Sequence, residues 1–204
     1  MLPPPTTTYY SDIRDIERLI DLPEGTHIHK NVDNIVLAAP NHVRTAIVAA
    51  PAIYGTGSGL NRRSLQVPNL IKRFITREEA FCVGEGKNLW NNVHIEDLAQ
   101  LYLKLIEAAV SGGRTADWKG QGYYFAENGE HSWGDISAAL AVKLSQRRLM
   151  KSTEVHHLAQ VEVDQVTPYG SMIWGSNSLG KAERSRKGLG SMVSETSFSR
   201  RNLG

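Results

Sequence analysis

Apolar and polar positions along this chain alternate between the short runs of buried strands and the three-and-four spacing of helices. Thr45–Ala50 (TAIVAA) is a nearly continuous apolar run rich in β-branched residues, which predicts a buried strand of a parallel sheet. Phe81, Cys82 and Val83 form a shorter run that stops at Gly84-Glu85-Gly86, as a buried strand entering a tight loop does. Residues 89–95, with Trp90, Val93 and Ile95, read as extended and lead directly into a helix. That helix sets Leu98, Leu101, Tyr102, Leu105, Ile106 and Ala109 on one apolar stripe. Asp97 falls in its first turn, where unpaired N–H groups favour a carboxylate, and Gly112-Gly113 stops it. Helical spacing also covers 27–39, ending before Pro40, and 67–77 through Val67, Leu70, Ile71 and Phe74. Ser132 is placed to cap a helix carrying Trp133, Ile136, Leu140 and Leu144, after an aromatic strand at 122–126. Residues 12–22 read as a polar connector, 51–59 as a glycine-rich loop, and 151–167 has no clear period. Helix alternating with buried strand predicts an α/β fold.

Composition narrows this little: 41% hydrophobic and 22% charged residues are ordinary for a globular protein. No apolar run approaches the roughly 20 residues that span a bilayer, and MLPPPTTTYYSD has neither a basic nor an apolar leader region. The expectation is a cytoplasmic protein with no membrane partner. The single cysteine, Cys82, excludes an internal disulfide and a cysteine-based zinc cluster, and its apolar run suits an inert thiol. His156 and His157 are adjacent rather than one helical turn apart, so no metal site is expected.

Charge is uneven. From 176 to 204, six basic residues face two acidic ones, in a chain whose net charge is +2. Without interleaved aromatics this predicts a solvated, flexible basic tail over 169–204 rather than a nucleic-acid surface. Residues 1–168 then make one domain.

The order VGEGKNLWNNVHIEDLAQLY resembles the late signature of the extended short-chain dehydrogenase/reductases, the NAD(P)-dependent epimerase/dehydratase-like family. The resemblance covers roughly 9–150, most strongly 45–110. It implies an incomplete Rossmann-type parallel sheet with a small α/β substrate-binding lobe, the C-terminal portion of the family fold. It also implies NAD or NADP as cofactor, a sugar nucleotide or small carbonyl compound as substrate, and a possible homodimer.

Carried over by position, Lys30 stands at the family's catalytic lysine and Thr26 where the family has its acid/base tyrosine. Pro51, Ala52, Ile53 and Tyr54 fall on the loop that passes the nicotinamide, with Ala50 in place of the family's arginine. Gln66, Asn69, Trp90, Asn91 and His94 fall on substrate-facing positions. Trp90 has packing as its alternative role, and His94 a backbone hydrogen bond at the helix start. Gly55-Thr56-Gly57-Ser58-Gly59 is a poor dinucleotide fingerprint, because a polar segment, not an apolar-periodic helix, follows it. The first strands and the glycine-rich turn are therefore expected to be absent, and the chain to be inactive or truncated. The rival expectation is a non-catalytic metabolite- or partner-binding module.

Overall fold

The computed structural model describes residues 10–21 and 29–190. In chain order the elements begin β1 (Tyr10–Ser11), α1 (Ile16–Ile20), α2 (Lys30–Leu37), β2 (Ile47–Ala49), β3 (Ala52–Tyr54) and α3 (Gln66–Arg77). Next come β4 (Ala80–Val83), β5 (Leu89–His94), α4 (Ile95–Val110), β6 (Tyr123–Phe125), β7 (Glu130–Ser132) and α5 (Trp133–Gln146). The last are β8 (Val155–Leu158), α6 (Gln160–Val166), α7 (Gly170–Gly175), β9 (Gly180–Lys181) and α8 (Glu183–Gly188). The chain divides into two compact units.

The first unit takes Ala52–Asn92 and Glu130–Leu179. Its centre is β4, buried at every position, which pairs in parallel with β8 from Ala80↔Val155 to Val83↔Leu158. Aromatic rings fill the space around it. Phe74 of α3 meets Phe81 edge-on at 5.2 Å, and Phe81 meets Trp174 of α7 at 6.2 Å. Burying side chains of this size contributes roughly 1.5–3 kcal/mol each. A second sheet orders β3, β5 and β7, with β5 and β7 antiparallel and Trp90 opposite His131. Ser132 caps α5 as expected: its hydroxyl accepts the Asp135 N–H at 3.0 Å.

The second unit takes the described parts of 10–51, with 93–129 and 180–190. Here β2 pairs in parallel with β6, Val48 opposite Tyr124. Among the described residues β6 is the only strand beside β2, whose residues are half-buried rather than fully buried. The core packs Val93, Leu98, Leu101, Leu105, Tyr124, Ala126 and Ala182 together. The α4 stripe is narrower than its spacing suggested. Asp97, Leu98, Leu101, Leu105 and Ala108 are buried, whereas Tyr102 and Ile106 are 48% and 59% exposed. Tyr102 and Ile106 lie on a flank of the helix turned too far from the Leu98–Leu101–Leu105 line to reach the core.

Three further expectations need correction. Residues 52–54 are a strand rather than part of a loop, because they join β5 at the edge of its sheet and bury Tyr54. The segment 151–167 holds β8 and α6, anchored by pairing to β4 and by buried Val163. The expected flexible tail is ordered over 169–190: Trp174, Leu179, Ala182, Arg184 and Ser185 are all buried. Its Arg184 is paired inside the second unit. Arg184 donates from Nε and Nη2 to the Asp12 carbonyl at 3.1 and 2.8 Å, and its Nη1 pairs with Asp117. Residues 191–204 lie outside the described residues.

Candidate functional site

In the second unit, Lys30 is the first residue of α2 and lines a cleft with Leu19, Asp33, Leu37 and Tyr123. The cleft holds only about 10 Å3, the space of a single water. Tyr123 donates to Asp33 Oδ2 at 3.5 Å. Burial, with the Asp33 carboxylate beside it, pushes its phenol well above the usual tyrosine range. Tyr123 is thus no substitute for an acid/base tyrosine, which needs a pKa near the working pH. Thr26, set at the tyrosine position by the family resemblance alone, lies outside the described residues.

His94 caps α4: its Nδ1 accepts the Glu96 N–H at 3.3 Å, the backbone role set against substrate contact in its sequence. Asp97, one turn into the helix, accepts the Asn128 side-chain amide at 2.9 Å. Pro51 is half-buried at the edge of this unit.

The first unit holds the remaining positions. Ala52, Ile53 and Tyr54 form β3, with only Tyr54 buried. Gln66 opens α3 half-buried, and Asn69 is exposed on the same turn. Trp90 donates from its indole to the Ser176 carbonyl at 2.9 Å and packs edge-on against Trp133 at 6.2 Å, so it anchors one strand to the segment after α7. Asn91 is buried, and its N–H donates to the Ser178 carbonyl at 3.0 Å. None of Gln66, Asn69, Trp90 and Asn91 lines either of two grooves in this unit.

One of these is an open groove of about 470 Å3, lined by Cys82, Lys87, Ser132, Asp135 and His157 among others. His157 Nδ1 lies 2.7 Å from the Gly84 carbonyl, so that nitrogen donates; Cys82 Sγ is 3.5 Å from the same atom. Burial pushes the Cys82 thiol up, which keeps it protonated and unreactive, as its apolar run suggested. Beside the groove, a polar cluster surrounds β5. Asn92 Nδ2 is 3.1 Å from His131 Nδ1, and the His131 ring stands edge-on to Trp133 at 4.9 Å. Burial lowers the His131 pKa to about 4, against the smaller opposing pull of Glu130. Neither His131 nor His157 stands out in the sequence, because the partners that define them come from other strands.

A dinucleotide needs backbone N–H groups at a helix N-terminus to hold its pyrophosphate. The Gly55–Gly59 loop does not supply them. The Gly57 N–H donates to the Arg62 carbonyl at 3.2 Å, and α3 begins only at Gln66. Neither the Gly55–Gly59 loop nor the water-sized Lys30 cleft offers such a cradle.

Comparison with known proteins agrees with the fold. Residues 30–119 match the NAD dependent epimerase/dehydratase family. The chain is 29% identical over 191 residues to the oxidase ucsJ of an Acremonium species, covering 88% of this chain and 55% of that protein. Among solved structures it resembles a nucleoside-diphosphate-sugar epimerase from Pseudomonas aeruginosa at 15% identity and a TM-score of 0.56, covering 87% of this chain and 53% of that one. It also resembles the dTDP-glucose 4,6-dehydratase DesIV from Streptomyces venezuelae, solved with NAD bound, at 15% identity and a TM-score of 0.55, covering 82% and 44%. The chain spans about half the length of the relatives it matches. Residues 30–119, which include β2 and the α4 start, thus resemble the NAD dependent epimerase/dehydratase family.

Proposed function

We propose that this chain is an NAD(P)-dependent epimerase/dehydratase- or reductase-like protein of the cytoplasm, related to enzymes of sugar nucleotides and small carbonyl compounds, with little or no oxidoreductase turnover by itself. The observation that carries this is the pairing of a family match with Thr26 at the tyrosine position, four residues before Lys30. A tyrosine with a pKa of about 10 can be tuned by a neighbouring lysine to exchange protons near neutral pH; a threonine hydroxyl lies far above that range. The water-sized cleft at Lys30 supports the same reading. Gln66, Asn69, Trp90 and Asn91 in one unit, and His94 in the other, are proposed as substrate-lobe positions on the family pattern alone.

The second reading is a non-catalytic module that holds a metabolite or partner. The groove of about 470 Å3 favours it, since none of the proposed catalytic positions contributes to its wall. Thermal unfolding of the purified chain with and without saturating NAD(H) or NADP(H) separates the two from an active enzyme. Ligand at 100 times its Kd adds about 2.7 kcal/mol of stability if it binds only the folded state. The expected result is a cooperative transition that neither cofactor moves. A midpoint that rises with either cofactor overturns the proposal.

A further inference from the structure

We propose that the groove between α3 and α6 is a binding site for a small ligand carrying a phosphate or carboxylate on an apolar body. Its walls lie wholly within the first unit and enclose about 340 Å3, within the range of small-molecule sites. Arg73 and Arg77 sit one helical turn apart on α3, with Thr76 between them, so they present guanidinium groups on one face. Both are held in place from behind. Arg73 Nη2 donates to Thr167 Oγ1 at 3.0 Å, and the Arg77 guanidinium lies 5.9 Å from the centre of the Phe81 ring. A guanidinium carries five N–H donors in a planar fork, so an anchor at one nitrogen leaves the fork able to meet a phosphate or carboxylate edge.

The opposite wall comes from α6. Gln165 adds an uncharged amide, while Leu158 and Val166 give the groove its apolar floor. Two carboxylates oppose an anion here. Glu79 meets Arg77 at 3.4 Å, an exposed pair of little strength that a ligand displaces. Glu162 is committed to its own helix, accepting the Ala159 N–H at 2.6 Å. The lining charge stays positive, with two arginines against Glu162. This inference rests on the first unit's geometry and stands apart from the dinucleotide reading.

Heteronuclear NMR titration of the full chain with phenyl phosphate tests it, following backbone amides and arginine Nε–H signals, with phenol as the uncharged control. The expected result is saturable shifts at Arg73, Arg77, Leu158 and Gln165, and none with phenol. The double substitution Arg73→Gln/Arg77→Gln weakens binding by about tenfold or more, the loss of charge-assisted bonds to the anion. Glu162→Gln, which preserves the helix cap, tightens it by a few-fold. Shifts spread over the surface lysines and arginines, no saturation, or affinity unchanged in Glu162→Gln and in a folded double variant each overturn the proposal.

Discussion

The two units solve the same problem, ordering a segment distant in the sequence, by opposite chemistry. The first closes α7 over β4 with aromatic rings, Phe74, Phe81 and Trp174. The second closes α8 with ions. Asp12 is fully buried, accepts the Phe125 and Arg184 N–H groups at 3.0 and 2.9 Å, and receives the Arg184 guanidinium at its carbonyl. Burial raises the Asp12 pKa even against those hydrogen bonds and the arginine. Desolvation therefore outweighs pairing, and the network contributes more to where α8 sits than to net stability. Aromatic packing adds stability whatever the exact partner; buried charge permits only one arrangement.

The largest effect expected from this contrast is at Asp12. Asp12→Ala removes the carboxylate that accepts the buried Phe125 and Arg184 backbone N–H groups, and leaving these two donors unpaired is expected to cost about 2–5 kcal/mol in urea unfolding. A loss under about 1 kcal/mol, no more than a surface pair contributes, would show that the Asp12 carboxylate does not hold α8.

Acid separates the units next. His131 is held neutral in the fold, with its pKa lowered from 6.5 to about 4, so protonation favours the unfolded chain. Its contribution is complete above about pH 6.5 and falls as pH drops toward about 4, a loss of roughly 3 kcal/mol. Asp12 runs the other way. With its folded pKa raised above 3.8, its contribution is present below that value and lost as pH rises through the folded pKa. Urea midpoints measured across this range should slope downward into acid, and His131→Phe should remove most of the slope. A slope that survives the substitution assigns it elsewhere.

Helix caps give the smaller effects. Ser132→Ala in the first unit removes a 3.0 Å cap and should cost about 1 kcal/mol. His94→Ala in the second removes a longer, exposed one at 3.3 Å and should cost about 0.5 kcal/mol. Equal losses at both sites would mean that His94 has a structural role beyond its cap.

The same contrast explains what the sequence made legible. Strands β2 and β4 and helices α3, α4 and α5 announce themselves because their burial follows a local period. Segment β8 does not, since His156 and His157 sit on a strand only partly covered, and its strand character comes from pairing with β4. Nor does α8, where Arg184 reads as solvated charge until Asp12, 172 positions earlier, is brought beside it. Lys30 is placed by family spacing alone, while the α4 start was legible through its local pattern. The shape of the Lys30 cleft and the environment of His131 were not, because each is set by groups from separate elements.

One pairing has a consequence for the order of synthesis. Strand β1 meets β9 with Tyr10 against Gly180 and Ser11 against Lys181. A growing chain has Tyr10 in hand before any described element of the first unit, yet its partner leaves the ribosome only after all of them. The aromatic unit can condense while translation continues, whereas the ionic unit must keep Asp12 in water until Arg184 arrives. Until then Asp12 behaves as an ordinary solvated carboxylate, and the cost of burying it falls on the step that docks α8.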